Sequence, residues 1–223
     1  MGAAEPWLAT VLPVLNEEAY IETCLRSLIE QSLPSNEHMI FVLDGGSIDA
    51  TKDIVQNICD GLDVTQYPSV HLLDNPGKFV PHARNLALQQ LPKSITHVLE
   101  FNGHIEIDNN HLVRLKEAWN RLEMQYENLA GLGCRVIGNT SSQGTIESII
   151  DATLSNPLGG STGQFAVFDE EGPTNVPAFV LHLRSALEVV GGWDESFLTI
   201  QDSDLSMRLI KAGYVLCRTP KVI

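Results

Sequence analysis

Short apolar runs alternate with amphipathic segments along the first half of the chain. Residues 8–15 are almost all apolar and are followed by Asn16-Glu17-Glu18, which predicts a buried first strand. Apolar residues then recur at the spacing of one helix face, and Pro34 and Ser35 end the helix that this spacing predicts. That apolar face consists of Ile21, Cys24, Leu25, Leu28 and Ile29.

The same alternation continues to about residue 121. It predicts strands that end at Leu43 and that span residues 70–73 and 96–101, and helices built on Ile54, Val55 and Ile58, on residues 81–91, and on Leu112, Leu115, Trp119 and Leu122. Strands that alternate with helices form βαβ units around a parallel sheet. The pattern therefore predicts an α/β fold whose central sheet is mostly parallel and flanked by helices.

The second half of the chain has a less regular pattern. It predicts strands at 131–138, 176–183 and 214–217, helices at 145–153 and 204–212, a glycine-rich loop at 156–162 and a turn at 191–193. The chain ends soon after the last of these strands, so we expect that the native protein continues beyond Ile223.

Composition narrows the class of protein. The 223 residues, 43% of them hydrophobic, are enough for one large domain with a substantial core. Acidic residues outnumber basic ones by 28 to 14, and the net charge of −14 argues against nucleic-acid binding through a basic surface. The four cysteines have no CxxC spacing, which disfavours zinc and fits a reducing, cytoplasmic compartment. The sequence has neither a signal-peptide pattern nor a bilayer-spanning apolar run, so we expect a soluble chain.

The most informative stretch is residues 40–49, where an apolar strand leads to Asp44, a glycine turn and a helix. Glycine tolerates the backbone angles of such a turn and lets a ligand approach the main chain. Ser47 or Asp49 can cap the helix. An acid at the carboxyl end of a parallel strand lies where open α/β sheets bind ligands. The alternative is an ordinary strand–turn–helix with a capping acid.

A second polar cluster, Glu100, Asn102 and His104, lies at the end of the fourth predicted strand. If the chain stays extended there, residues two apart point the same way and the three side chains share one side. Carboxamide oxygen and imidazole nitrogen are acceptable ligands for a divalent metal that phosphate oxygens already hold. The alternative is a polar strand exit with a helix cap.

Arginines and acids form two further clusters. Arg84 follows residues 75–78 (NPGK) and is predicted to lie in the first turn of a helix. The helix N-terminus and the arginine cation would together favour binding of phosphate groups. The alternative is a solvated surface arginine. Asp204 and Arg208 are four residues apart on a helix and can form a structural pair. Asp202 lies outside that pair, at the mouth of the helix, where it either caps the helix or takes a proton from a hydroxyl as a base.

Together these motifs resemble inverting glycosyltransferases of family two, which have the GT-A fold. Residues 13–18 (PVLNEE) resemble the opening strand and loop of the family, residues 44–49 (DGGSID) its nucleotide-binding turn, and residues 83–85 (ARN) another recurring motif. Residues 192–195 (GWDE), followed by 202–205 (DSDL) and Arg208, resemble the acceptor-side signature of the family.

One branch of this family matches further. Residues 156–161 with Val176-Pro177 are similar to succinoglycan-type exopolysaccharide transferases, which carry a D-G-H-like triplet where most relatives carry D-x-D. The resemblance spans roughly residues 8–214. It implies one GT-A domain over residues 1–223, with a nucleotide-binding half at about 1–121 and an acceptor-side half at about 122–223.

The resemblance also implies a role for individual residues. Asp202 would be the general base that deprotonates an acceptor hydroxyl, which attacks the anomeric carbon of a nucleotide-sugar with inversion. Asn102 and His104 would bind Mn²⁺ or Mg²⁺ together with the donor diphosphate. The implied nucleotide-binding residues are Pro13, Glu17 (by the ribose), Asp44 (at the base), Arg84 and Asn102, and the implied acceptor-side residues are Gly192, Trp193 and Asp194.

The implied partners are a nucleotide-sugar, with UDP-sugar favoured, and a glycan or lipid-linked acceptor. Nucleic acid is not among them. Any association with the inner face of the membrane would come from residues absent from this chain.

Two residues depart from the family pattern. Asn102 stands where the family prefers Asp, which removes one negative charge from the metal site. Gln201 stands where Glu usually precedes the base, and a neutral neighbour predicts that Asp202 is a weaker base than in relatives. These departures motivate an alternative function, a weakened GT-A protein that binds nucleotide-sugar or glycan without transfer.

Two other enzyme classes fit poorly. A dinucleotide-dependent redox enzyme would have a G-x-G-x-x-G motif after the first strand, where this chain has residues 13–18. A sugar nucleotidyltransferase would want a glycine-rich, basic loop at the same place, and that loop is absent too.

Overall fold

An eight-stranded sheet lies at the centre of the computed structural model, which describes residues 5–136 and 168–222. The strands are β1 (Leu8–Val14), β2 (His38–Asp44), β3 (Ser69–Asp74), β4 (His97–Glu100), β5 (Leu129–Cys134), β6 (Gly172–Pro173), β7 (Leu181–Leu183) and β8 (Val215–Thr219), in the order β3-β2-β1-β4-β7-β5-β8-β6. Parallel pairing joins β1 to β2 and β4, β2 to β3, and β5 to β8. Only β6 and β7 pair antiparallel in the described part, so the predicted α/β fold with a mostly parallel sheet is confirmed.

Six helices flank the sheet in the described ranges. They are α1 (Ile21–Ile29), α2 (Thr51–Gly61), α3 (Val80–Gln90), α4 (His111–Glu123), α5 (Arg184–Val190) and α6 (Gln201–Lys211). None of them is long and apolar enough to cross a membrane.

The central strands are apolar on both faces because helices cover both. Along β1, Leu8 and Leu12 point into a core formed with α1, α2 and α4. Ala9 and Val11, which alternate with them, point into a second core formed with α3, α5 and α6. This double burial explains why the strands are nearly continuous apolar runs. Parallel pairing brings the carboxyl ends of β1, β2 and β4 together at one edge of the sheet.

The predicted elements of the first half are confirmed. The boundaries of the strands and of α3 shift by one residue, and α1 ends at Ile29, before the predicted stop at Pro34. The second half differs more. The strand predicted at 176–183 is confined to β7, since Phe179 has a left-handed backbone (φ 44°) that interrupts an extended chain. The predicted helix at 145–153 and loop at 156–162, and the last residues of the strand at 131–138, lie outside the described ranges.

Helix α5 is missing from the sequence-based prediction. It follows β7 with no intervening loop and ends at Gly191, whose left-handed φ of 80° closes its last turn. Glycine at that position is a recognised helix stop signal and was the clue available in the sequence. Helix α6 begins at Gln201, three residues before the predicted start, so Asp202 lies in its first turn.

One buried and one partly buried histidine predict that the fold loses stability in mild acid. His38 is buried and its Nε2 lies 2.8 Å from Thr10 Oγ1. Burial lowers the pKa of His38 to about 3 and that of His97 to about 4. The unfolded chain therefore binds more protons below the ordinary histidine pKa of about 6.5. The stability present above pH 6.5 should fall as the pH drops, by about 1.4 kcal/mol per unit for His38.

Urea unfolding at several pH values between 7.5 and 5 checks this expectation, with His38→Gln as the comparison. The variant should show a shallower loss of unfolding free energy, because glutamine has no proton to gain. Equal slopes in the two proteins would show that His38 is not the responsible group.

Candidate active site

Two loops at the carboxyl edge of the sheet are tied together by side-chain caps. The loop after β1 and the loop after β2 exchange hydrogen bonds: Asn16 N–H donates to Ser47 Oγ at 2.9 Å, and Ile48 N–H donates to Asn16 Oδ1 at 2.9 Å. Glu17 N–H donates to Thr51 Oγ1 at 2.7 Å. These bonds fix the backbone around Glu17 before any ligand is bound.

Asp44 organises the glycine turn that follows β2. Its side chain is buried, and its carboxylate accepts hydrogen bonds from Gly46 N–H at 3.1 Å and from Ser47 N–H. Gly45 allows a close approach, since a Cβ there would lie 2.7 Å from the carbonyl oxygen of Lys78. Asp49, one of the two predicted caps, accepts from the N–H and hydroxyl of Thr51 at the start of α2.

A pocket opens beside this turn, between the carboxyl ends of β2 and β3. Its lining carries both acids and lysines, in keeping with a polar ligand: Asp44, Gly45, Gly46, Ser47, Lys52, Asp74, Asn75, Pro76 and Lys78. The nearby Pro13, predicted to bind nucleotide, lies on β1 directly opposite Leu43 of β2.

Arg84 is a buried ion-pair partner, with only 4% of its side chain exposed. Its Nη1 lies 2.5 Å from Asp202 Oδ1 and 3.2 Å from Glu100 Oε2. It stands in the second turn of α3, one turn later than predicted, and the alternative of a solvated surface arginine is wrong. The Arg84 guanidinium thus connects α3 to β4 and α6 at this edge of the sheet.

Glu100 lies beneath this pair as a buried carboxylate. Its Oε1 lies 2.7 Å from Nε2 of His182, a buried residue of β7. Burial opposes ionisation of Glu100, but the positive charge of Arg84 and the hydrogen bond from His182 hold its pKa below the usual range. Glu100 is therefore the ionised centre of a buried polar cluster.

Asn85 fixes the segment that carries the predicted acceptor-side residues. Its side chain accepts from Trp193 N–H at 2.9 Å and donates to Trp193 O at 2.8 Å. Gly192 has φ 73°, and a Cβ there would lie 2.5 Å from Asn85 Oδ1, so glycine is required. The buried Trp193 ring packs 5.6 Å from the Arg84 guanidinium. Asp194 accepts from the N–H and hydroxyl of Ser196 at the surface.

Asp202 is the partly exposed end of the buried cluster, with 24% of its side chain accessible. Burial, followed by the negative charge of Glu100, raises its pKa, while Arg84 opposes the rise. Gln201 is neutral and cannot repel the Asp202 carboxylate, but the nearby Glu100 carboxylate does. Glu100 therefore offsets the loss of basicity that Gln201 led us to expect.

The pair formed by Asp204 and Arg208 is structural. Arg208 Nε donates to Asp204 Oδ2 at 2.8 Å, and its Nη1 donates to the carbonyl oxygens of Val190 and Gly192, both at 2.8 Å. Arg208 thereby ties α6 to the end of α5. This agrees with the structural alternative that the four-residue spacing left open.

The condition under which Glu100, Asn102 and His104 would share one side, an extended chain through His104, is not met. Strand β4 ends at Glu100, and a turn follows at Gly103-His104. As a result Glu100 points into the buried cluster, whereas His104 is exposed with its Nδ1 3.1 Å from Glu17 Oε1. Asn102 lies between them, and its carbonyl oxygen accepts from the Cys24 thiol.

The donors near His104 fit a divalent metal only with help from a ligand. No group of three His, Cys, Asp or Glu side chains within 5–136 and 168–222 is arranged to hold a metal. His104, Glu17 and the Asn102 amide provide a nitrogen and oxygens, which suit Mn²⁺ or Mg²⁺ when phosphate oxygens and water complete the shell. Glu17, predicted to lie by the ribose, is near these donors because the loop after β1 meets the loop after β4.

Sequence patterns gave no hint of His182. It lies within a strand-like run, where an occasional histidine attracts no attention, and only the pairing of β7 with β4 brings it to Glu100. Glu100 itself was visible as part of a polar cluster, but its partners were not.

The fold is that of a family of sugar-transferring enzymes. The glycosyl transferase family 2 profile matches residues 10–191, and the chain belongs to that family. The resemblance predicted from the motifs is thereby confirmed.

Two curated relatives match along nearly the whole chain. The succinoglycan biosynthesis protein ExoA of Rhizobium meliloti is 29% identical over 214 residues, 95% of this chain and 60% of that protein. A dolichyl N-acetyl-alpha-D-glucosaminyl phosphate 3-beta-D-2,3-diacetamido-2,3-dideoxy-beta-D-glucuronosyltransferase of Methanococcus voltae is 23% identical over 217 residues, 97% of this chain and 65% of that protein. The chain therefore spans less than two thirds of the length of these relatives.

Solved structures give the same fold. S. aureus TarS in complex with UDP superposes with a TM-score of 0.68 at 16% identity, over 95% of this chain and 57% of that one. The mannosyltransferase PcManGT from Pyrobaculum calidifontis, in complex with GDP-Man and Mn²⁺, superposes with a TM-score of 0.70 at 17% identity, over 98% and 56%. These likenesses establish the GT-A fold of this chain.

Proposed function

We propose that this chain is the GT-A part of an inverting glycosyltransferase that moves a sugar from a nucleotide-sugar, with UDP-sugar favoured, to a hydroxyl of a glycan or lipid-linked acceptor. The observation that carries the proposal is Asp202, a partly exposed carboxylate with a raised pKa at the carboxyl edge of the sheet. A raised pKa suits a carboxylate that must take a proton in the reaction. TarS and PcManGT, which share the fold, bind UDP and GDP-Man respectively.

The proposed reaction uses Asp202 as general base. Asp202 takes the proton of the acceptor hydroxyl, and the oxygen attacks the anomeric carbon on the face opposite the diphosphate. The bond to the diphosphate oxygen breaks, the nucleoside diphosphate leaves with that electron pair, and the configuration inverts. Arg84 holds the base in place from below through the 2.5 Å contact.

The nucleotide would lie along the loops that follow β1 and β2. Asp44 would face the base in the pocket beside the glycine turn, and Pro13 and Glu17 would line the side of the ribose. Gly192 and Asp194 would border the acceptor. Because Trp193 is buried, it would act on the acceptor side through Arg84 and the backbone that Asn85 holds.

Asn102 and His104, with Glu17, would hold a divalent metal together with the donor diphosphate. The metal would offset the charge that builds up on the leaving diphosphate. A cytoplasmic reaction is in keeping with the unpaired state of all four cysteines, Cys24, Cys59, Cys134 and Cys217. We assign the nucleotide to residues 1–121 and the acceptor to residues 122–223, and any contact with a membrane to regions that the longer relatives have in addition.

A thermal-shift panel of UDP, GDP, CDP, TDP and ADP, each with and without Mn²⁺, tests the donor assignment. A ligand at about 100 times its dissociation constant stabilises the folded state by about 2.7 kcal/mol. For a domain of this size we expect a rise of several degrees in Tm with UDP and Mn²⁺ together. No shift with any nucleotide would contradict the proposal.

Replacing Asn102 by aspartate should strengthen the dependence on metal. A carboxylate binds Mn²⁺ and Mg²⁺ better than an amide oxygen does, so the metal-dependent part of the nucleotide shift should appear at lower Mn²⁺ concentration. Asn110→Asp, which adds the same charge at the start of α4, is the matched control and should leave that concentration unchanged. An identical Mn²⁺ dependence in wild type and Asn102→Asp would place Asn102 away from the ion.

The presence of Asn102 favours one second candidate function, binding of nucleotide-sugar or glycan without transfer. It would show the nucleotide shift described above but no metal-dependent turnover. Retention of Asp44, Arg84 and Asp202, with Arg84 and Asp202 in direct contact, supports the enzyme over the binding protein.

A further inference from the structure

Four side chains form an unbroken buried row from the interior of the sheet to the site. His182 contacts Glu100, Glu100 contacts Arg84, and Arg84 contacts Asp202, at 2.7, 3.2 and 2.5 Å. Three of them are nearly inaccessible, and only Asp202 reaches the surface. Burying two carboxylates and a guanidinium is costly even when they are paired, so the row suggests a role other than stability.

The ionised Glu100 and its partner His182 are the two members without a part in the chemistry proposed so far. Glu100 shares one guanidinium nitrogen with Asp202, because both carboxylates contact Nη1 of Arg84. Because electrostatic interactions add, the negative charge of Glu100 offsets part of the attraction between Arg84 and the Asp202 carboxylate. Ionised Asp202 is therefore stabilised less than it would be in a simple pair with Arg84.

His182 fixes the orientation of Glu100. Its Nδ1 has no hydrogen-bond partner among the described residues, which assigns the ring proton to Nε2, the nitrogen that donates to Glu100 Oε1. The Trp193 ring packs edge-on against His182, at 6.0 Å between ring centroids, and covers Arg84 as well. Glu100 is thus held so that its other oxygen faces Arg84.

We propose that Glu100 is a positioning residue for the transfer reaction: it holds Arg84 from below, and its negative charge offsets part of the effect of Arg84 on Asp202, which leaves Asp202 able to accept a proton from the acceptor. The charged and titratable groups that act on Asp202 from the packed elements are Arg84 on α3, Glu100 on β4 and His182 on β7. The inference rests on the proposed role of Asp202 as general base.

Glu100→Gln is the direct test, because it keeps the shape of the side chain and removes the charge. The readout is the midpoint of the Asp202 carboxyl titration, followed by carbon-13 NMR and assigned with Asp202→Asn. In Glu100→Gln we expect the pKa of Asp202 to fall by about one unit, since the negative charge that opposes ionisation of Asp202 is then removed. An unchanged or higher midpoint overturns the inference, whether or not transfer is detected.

A second variant covers the case in which Glu100→Gln does not fold. Glu100→Leu removes the same charge with an apolar side chain, so the pKa of Asp202 should fall as it does in Glu100→Gln. An unchanged or higher midpoint in this variant also contradicts the inference. His38→Gln, a change at a buried, hydrogen-bonded residue outside the site, is the matched control and should leave the midpoint unchanged.

Transfer kinetics separate this inference from the proposed function. In Glu100→Gln the acidic limb of the kcat profile against pH should move down with the Asp202 midpoint, and kcat should fall with little change in the KM for the donor. If the midpoint moves and the limb does not, Asp202 is not the base and the proposed function fails, while the electrostatic role of Glu100 is upheld.

Discussion

Asp202→Asn should lower the rate of sugar transfer about 10³-fold, within the range that general-base catalysis contributes. Asparagine has nearly the same shape as aspartate and can still accept a hydrogen bond from Arg84, but it cannot take a proton from the acceptor. The raised pKa of Asp202 marks it as the carboxylate at this edge best suited to that step. Nucleotide binding should be retained, because the pocket beside Asp44 is formed by β2, β3 and their loops.

Two measurements distinguish a catalytic from a structural effect of Asp202→Asn. Transfer is followed with the nucleotide-sugar whose diphosphate gives the largest thermal shift, and the same thermal shift is then repeated on the variant. Asp204→Asn, on the same helix, is the matched control, since Asp204 pairs with Arg208 and lies outside the buried row. A variant at Asp202 that transfers sugar as fast as wild type would remove the general base from the proposal.

Arg84→Met should lower the free energy of unfolding by about 3–5 kcal/mol, the cost of leaving one partner of a buried ion pair without the other. The change leaves Glu100 ionised in the core and brings it against Asp202 with no cation between them. A loss of this size is a large part of the 5–15 kcal/mol that stabilises a typical domain. Urea unfolding at pH 7.5 measures it.

The double variant Arg84→Met, Glu100→Gln identifies the cause of the loss. Removing the stranded charge should restore part of the stability, so the double variant should be more stable than Arg84→Met alone. Arg26→Met is the matched control, because Arg26 pairs with Glu22 at the surface, where both side chains are about half exposed. Its cost should stay below about 1 kcal/mol. A similar cost at both arginines would show that burial of the row does not matter.

Two of the motifs that indicated the family contact each other in the fold. Residues 83–85 and 192–195 lie far apart in sequence, yet Asn85 holds the Trp193 backbone at 2.8 and 2.9 Å while Arg84 lies against the Trp193 ring. The motif at residues 83–85 therefore holds the motif at residues 192–195 in place. The order of the motifs in the sequence indicated the family but did not reveal this contact.

Sequence alone determined the α/β class and most elements of the first half, because apolar periodicity and turn residues act over a few positions. The order of the motifs indicated the family, and the same resemblance predicted roles for the acids at residues 44 and 202. Tertiary structure decided which charges meet. Arg84 and Asp202 are 118 positions apart, and Glu100 and His182 are 82 apart. Pairing of β7 with β4, and packing of α6 beside α3, bring these groups together, and no local pattern encodes such distances.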